Sequence, residues 1–343
     1  MKNSRFSMLD KLNQVLKEPV DLEKLILVDG SEVTAMVYNE EDSKDGGDVT
    51  KAIPNIAPPF TECFISLDIF NTPNAKMDQL FATVKQPDKM HIKQSCGAYI
   101  KYFEVPEGIR PNISMPGAGS IAGSHNMGAN AKWILMITGL FSQKSTDGML
   151  DTGVIEVTTI LYVNADGTAC TGAAPNGELG FGLLMSEPML LERGKTSDVF
   201  LDLFNSGEGR DVWSYSVLLP ALSCITFMHC KNVQLTERDP NLDLPSWAKK
   251  HREKKGEPPL LKYYTINISI VRKLLKNEGN IEHNGFRKAL HICRGHFKNY
   301  VDGKGLFGKY HGLYWVDMHV RGDQEIGVIK KDYKLKPEAK GNG

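Results

Sequence analysis

The chain has 343 residues, 41% of them hydrophobic, with 41 basic and 41 acidic side chains. That length and apolar content exclude a disordered chain and leave two domains or one elaborated domain. The balance of charge is uneven: residues 1–244 hold 20 Lys and Arg against 31 Asp and Glu, whereas residues 245–343 hold 21 against 10. A basic C-terminal part calls for an anionic partner, nucleic acid first, unless the two parts simply attract each other.

Six cysteines (Cys63, Cys96, Cys170, Cys224, Cys230 and Cys293) fall at irregular intervals without a C-x-x-C pair. This excludes a zinc ribbon or a disulfide framework and fits reduced thiols of a cytoplasmic protein. No apolar run reaches the roughly 18 residues of a membrane span, and the start has no export signal.

Ser7 precedes Met8, Leu9, Leu12, Val15 and Leu16 at helical spacing, with Asp10 at the capping-box position and Pro19 beyond the end. Leu25–Val28 and Val33–Val37 flank Asp29-Gly30, a hairpin signal. Residues 39–48 form an acidic loop, and Ile56-Ala-Pro-Pro-Phe60 leads into an apolar strand at Phe64–Phe70. The glycine-rich run from Met115 to Gly128 lacks the Gly-Lys-Ser/Thr ending of a phosphate-binding loop and reads as a surface loop.

Lys132–Leu140 and Val154–Val163 read as strands, the second turning at Asn164-Ala-Asp-Gly167. Residues 212–230 read as a buried helix entered or kinked at Pro220, with His229 and Cys230 as packed side chains at its end. Pro245–Lys262 carries Lys249, Lys250, Arg252, Lys254 and Lys255 around Trp247 and reads as a mobile basic linker that can touch nucleic acid. Tyr263–Val271 resumes a strand.

The densest chemistry follows. In a strand from Ala289 to Lys298, alternation puts Arg294, His296 and Lys298 on one face; in a strand from Leu313 to Arg321 it groups Trp315, Asp317, His319 and Arg321. Joined through a glycine-rich loop, the two strands are expected to set Arg294 and His296 beside His319 and Arg321. Metal-independent RNA cleavage needs a base, an acid and cations at the phosphorane-like transition state. His296 and His319 suit proton transfer, Arg294 and Arg321 clamp phosphate, and Tyr300 assists. Lys298, Phe307 and Tyr310, with Lys249, Lys250 and Arg252, are the candidate nucleic-acid contacts. A metal site from His291, His296 and His319 is disfavoured because His291 falls on the face opposite His296. The bland reading is a sheet whose polar face happens to carry His and Arg.

The segments Ile56–Phe60, Phe227-Met-His-Cys-Lys-Asn-Val233, His291–Tyr300, Leu306-Phe-Gly308 and Gly312-x-Tyr-Trp315 resemble a widespread set of uncharacterised proteins from bacteriophages and bacterial mobile elements. That resemblance implies a bacterial or phage setting, hence a host cytoplasm, and no established activity. A looser likeness in residue types on strands is to RelE-like ribonucleases, which cut RNA without metal.

The sequence thus predicts an α+β protein, mainly antiparallel β-sheet with a few helices. Its parts are an acidic β-rich region (1–244), a basic linker (245–262) and a small basic C-terminal sheet module (263–336). The expected function is nucleic-acid binding with metal-independent RNA cleavage and no cofactor. The alternative is a non-catalytic regulatory protein that grips nucleic acid or a host protein.

Overall fold

A computed structural model of the chain describes residues 6–16, 20–22, 24–34, 53–68, 92–105, 131–145, 148–173, 179–181, 183–206, 213–268, 289–293, 296–306, 308, 310–316, 319–321 and 323–328. Helix α1 (Leu9–Val15) precedes β1 (Ile26–Asp29), β2 (Glu62–Ser66), β3 (Ile92–Glu104), β4 (Ala131–Ser145), β5 (Val154–Asn164), β6 (Thr171–Ala173), β7 (Leu179–Phe181), β8 (Leu183–Met185) and β9 (Met189–Glu192). Helix α2 (Ser197–Ser206) follows, then a π-helical turn (Ser214–Leu218) that runs into α3 (Leu219–Met228), and then β10 (Val233–Arg238). The rest comprises α4 (Pro240–Asp243), α5 (Ser246–Lys254), β11 (Tyr263–Ile268), β12 (Ala289–Cys293), β13 (His296–Asn299), β14 (Leu313–Val316), β15 (His319–Arg321) and β16 (Asp323–Val328).

The fold is α+β. One large mixed sheet runs in the order β10-β11-β1-β2-β3-β4-β5-β8, with β9 also pairing β5. Most of its pairs are antiparallel, but β1 lies parallel to both β2 and β11. Smaller sheets join β15-β12-β16, β13-β14 and β6-β7.

Both faces of the large sheet are covered, which is why β5 is buried along nearly its whole length. On one face the π-helical turn lies across β3 and β4, and α3, which continues it, lies against β10 and β11. The approach is close enough that a Cβ on Gly139 would fall 2.0 Å from a Trp213 ring carbon and 2.7 Å from Val217. Pro220, which has no N–H to donate, stands in the first turn of α3 where the backbone leaves the π-helical spacing. On the other face Phe6, Leu9 and Leu12 pack against Leu27, Phe64, Tyr99 and Leu140.

Several local expectations are corrected. Asp29-Gly30 does not close a hairpin. The Asp29 carboxylate accepts from both the backbone N–H (3.1 Å) and the hydroxyl (2.6 Å) of Ser31, and residues 31–34 start a helical turn. Gly30 is wedged where a Cβ would lie 2.7 Å from the Cys224 sulfur, so the strand passes straight beneath α3. Ser7 does not cap α1; its hydroxyl donates to Asp68, and Met8 takes the cap position without a side-chain bond. The basic stretch after residue 245 is a helix, α5, rather than a mobile linker. The strand at 263–268 lies inside the large sheet, between β10 and β1, so the boundary expected at residues 262/263 runs through one sheet. The glycine-rich run at 115–128 lies outside the described residues.

Cys63, Cys96, Cys224 and Cys230 are buried free thiols. Burial raises all four pKa values, those of Cys63 and Cys230 to about 12, which keeps them neutral and unreactive near pH 7. Among the described residues no helix is long and apolar enough to cross a membrane.

Candidate nucleic-acid interface

The hairpin predicted from the His/Arg cluster is present as two ladders, β13 with β14 and β12 with β15, in one shared register. Its inner face is fixed by aromatic packing. Phe297 and Trp315 are cross-strand partners, and both rings meet Phe227 of α3 at centroid distances of 4.8–5.0 Å. Asn232 then acts as a surrogate strand: its side-chain amide donates to the Trp315 carbonyl (2.9 Å) and accepts from the Trp315 N–H (3.0 Å). The Lys231 N–H donates to the Leu313 carbonyl at 2.8 Å.

With Phe297 and Trp315 turned inward, His296 and Lys298 point outward, and both are exposed. The Lys298 ammonium stands 5.0 Å from the centre of the Tyr300 ring, and Tyr300 meets Tyr314 edge-on at 6.0 Å. At the tip, Leu306 and Tyr310 exchange backbone hydrogen bonds of 2.7 and 3.0 Å, which leaves Tyr310 exposed.

The register distributes the predicted catalytic residues differently from the expectation. His296 is opposite Val316, whereas His319 is opposite Cys293 and Arg321 is opposite His291. A residue shares a face with its cross-strand partner, so this pairing does not set His296 across from His319. A long loop leaves register open, and here the inward aromatic pair of Phe297 and Trp315 fixes that of β13 with β14. Arg294 and Phe307 lie outside the described residues.

The second basic surface is α5. Trp247, Lys250, His251 and Lys254 recur at i, i+3, i+4 and i+7, one face of a helix, and all four are exposed, Trp247 to 67%. Lys249 and Arg252 are on the half-buried side. Arg252 is held there by an ion pair to Glu257 (2.9 Å) and a hydrogen bond to the Pro258 carbonyl (2.6 Å), so it closes the turn after α5. Of the three cations predicted in this stretch, Lys250 is the one on the outward stripe. Trp247 and Lys254 belong to the stretch expected to touch nucleic acid, and His251 joins them through a helical spacing that is legible once the stretch is taken as a helix.

The Ile56–Phe60 segment is structural. Its backbone carbonyls accept from the Tyr102 hydroxyl at Ile56 (3.0 Å), and the His229 imidazole lies 2.9 Å from the Ala57 oxygen. His229 is therefore a packed side chain, as expected. Among the described residues no group of three or more His, Cys, Asp or Glu side chains is arranged to hold a metal ion.

No family model matches the chain, and no curated protein and no solved structure matches it significantly.

Proposed function

We propose that the chain binds single-stranded nucleic acid, RNA before DNA, through the outward stripe of α5 and the outer face of the β13–β14 hairpin. The reading rests on one observation, the exposed Trp247 heading a row of Lys250, His251 and Lys254. A cation row tracks a phosphate backbone, and an exposed indole offers a stacking surface to a base. The hairpin repeats that chemistry with Lys298 over Tyr300 and with Tyr310 at its tip. The hairpin hangs from Lys231 and Asn232 just before the first residue of β10, and α5 follows the other end of that strand after α4.

The proposal stops at binding. Cleavage by His296 and His319 as an acid–base pair needs both imidazoles at one phosphate, and the strand register pairs His296 with Val316 and His319 with Cys293.

Fluorescence anisotropy with a labelled RNA oligonucleotide, titrated at several salt concentrations, tests the reading. Removing two phosphate contacts with Lys250→Ala and Lys254→Ala should flatten the salt dependence by about 1.4 in the log–log slope. Trp247→Ala should weaken binding by about 1–3 kcal/mol at every salt concentration. Wild-type protein that fails to bind at low salt, or variants that bind as wild type does, would remove α5 from the interface.

A further inference from the structure

The face of the large sheet that α1 covers also holds a cavity of about 410 Å³, which shares no lining residue with the basic surfaces and is unused by the binding proposed above. Its floor follows from strand register. Glu62 on β2, Lys101 on β3 and Met136 on β4 are successive cross-strand partners, so they form one lateral row. Tyr99 and Phe103 flank Lys101 at two residues to either side and therefore rise on the same face. Leu25, Asp21 and Lys24 close the side next to α1.

The charges in this cavity cancel. Asp21 pairs with Lys24 at 2.9 Å, and Glu62 faces Lys101 at 3.9 Å. An anion would meet two carboxylates and a cation two ammonium groups, so neither is favoured. The Glu62–Lys101 contact is also at the outer limit of an ion pair, and both side chains keep about a third of their surface open (33% and 38%). One Glu62 oxygen accepts the Tyr99 hydroxyl, whose proton burial and Glu62 hold in place. The other oxygen and the Lys101 ammonium stand side by side, an acceptor next to a donor.

The remaining walls favour a flat π-system. The Phe103 ring is 42% exposed, with the Lys101 ammonium 5.8 Å from its centre, and Met136 adds a polarisable thioether. We infer that the cavity binds a neutral planar heterocycle with an N–H beside a C=O, the lactam edge of a uracil- or guanine-type nucleobase. The N–H donates to Glu62, the carbonyl accepts from Lys101, and the ring stacks on Phe103.

Calorimetric titration of the full chain with uridine tests this, with N3-methyluridine as the comparison because it differs only in the donor. Uridine should bind at millimolar concentration or below, and N3-methyluridine about tenfold more weakly, the loss of one hydrogen bond to a charged group. Glu62→Ala and, separately, Lys101→Met should each cost a similar factor. Met136→Trp should fill the cavity and abolish binding while the unfolding transition stays cooperative. Absence of uridine binding, equal binding of the methylated nucleoside, or full binding by a folded Met136→Trp variant would each overturn the assignment. Because Trp247, Lys250 and Lys254 take no part, Trp247→Ala should leave uridine binding unchanged while it weakens RNA binding.

Discussion

Asp68 is 2% exposed at the end of β2, where it accepts from the Ser7 hydroxyl (2.9 and 3.1 Å) and from the Cys96 N–H (2.8 Å). Burial pushes its carboxyl up to about 6, against the opposing pull of those hydrogen bonds and of Lys93. A folded-state pKa above the unfolded value of about 3.9 means that the folded chain holds this proton more tightly than the unfolded one. Its contribution to stability is complete below about pH 4 and is lost as the pH rises through 6, a change of at most about 3 kcal/mol. Asp68→Asn should remove that slope, so urea midpoints of wild type and variant should diverge between pH 4 and pH 7. Parallel midpoints would mean that the carboxyl titrates normally. None of this was legible in the sequence, where Ser7 looked like a helix cap and Asp68 like one polar residue in an apolar strand. The pairing of residues 61 positions apart is decided by packing rather than by local pattern.

At the scale of elements, the contact between the π-helical turn and the sheet depends on the absence of a side chain at Gly139. Gly139→Ala would drive a methyl into the Trp213 ring and Val217, forcing the π-helical turn off β4. A loss of about 1–3 kcal/mol in chemical denaturation is expected, with Gly139→Val worse. Loss of less than about 0.5 kcal/mol would show that the helix can move aside without cost. Elements with strong periodicity were legible: β5 from its alternation, α3 from its apolar spacing and Pro220, and the β13–β14 hairpin from two polar–apolar strands around a glycine-rich loop. Helix α5 was not, because lysines on every side of it and the following Pro258-Pro259 imitate a solvated linker. Asp29-Gly30 misled for the opposite reason. The dipeptide is a strong local turn signal, yet β1 is held in place by parallel partners on both sides. Of the candidate interface, the residue types and the outward placement of His296 and Lys298 were legible, whereas the register that pairs His296 with Val316 was set by Phe297, Trp315 and a remote Phe227.

At the scale of the molecule, the charge asymmetry marks composition and not a division of the fold. β11 belongs to the basic part of the sequence but hydrogen-bonds on one side to β10 and on the other to β1. Leu313 and Trp315 join the same buried cluster as Val28, Ile65 and Ile225. A truncation after residue 244 should therefore expose one edge of β1 along with the lower end of α3. Such a fragment is expected to bind hydrophobic dye and to be digested rapidly by protease, whereas the full chain resists. A 1–244 fragment that unfolds cooperatively would show that the first part stands alone. The position of β11 also bears on biogenesis. During synthesis the N-terminal strands emerge with an unsatisfied backbone edge, and its natural occupant is translated only after everything up to Lys262. For that interval the nascent polypeptide is a template for off-pathway strand addition, so its yield in the cell should depend on holdase chaperones far more than its final stability would suggest.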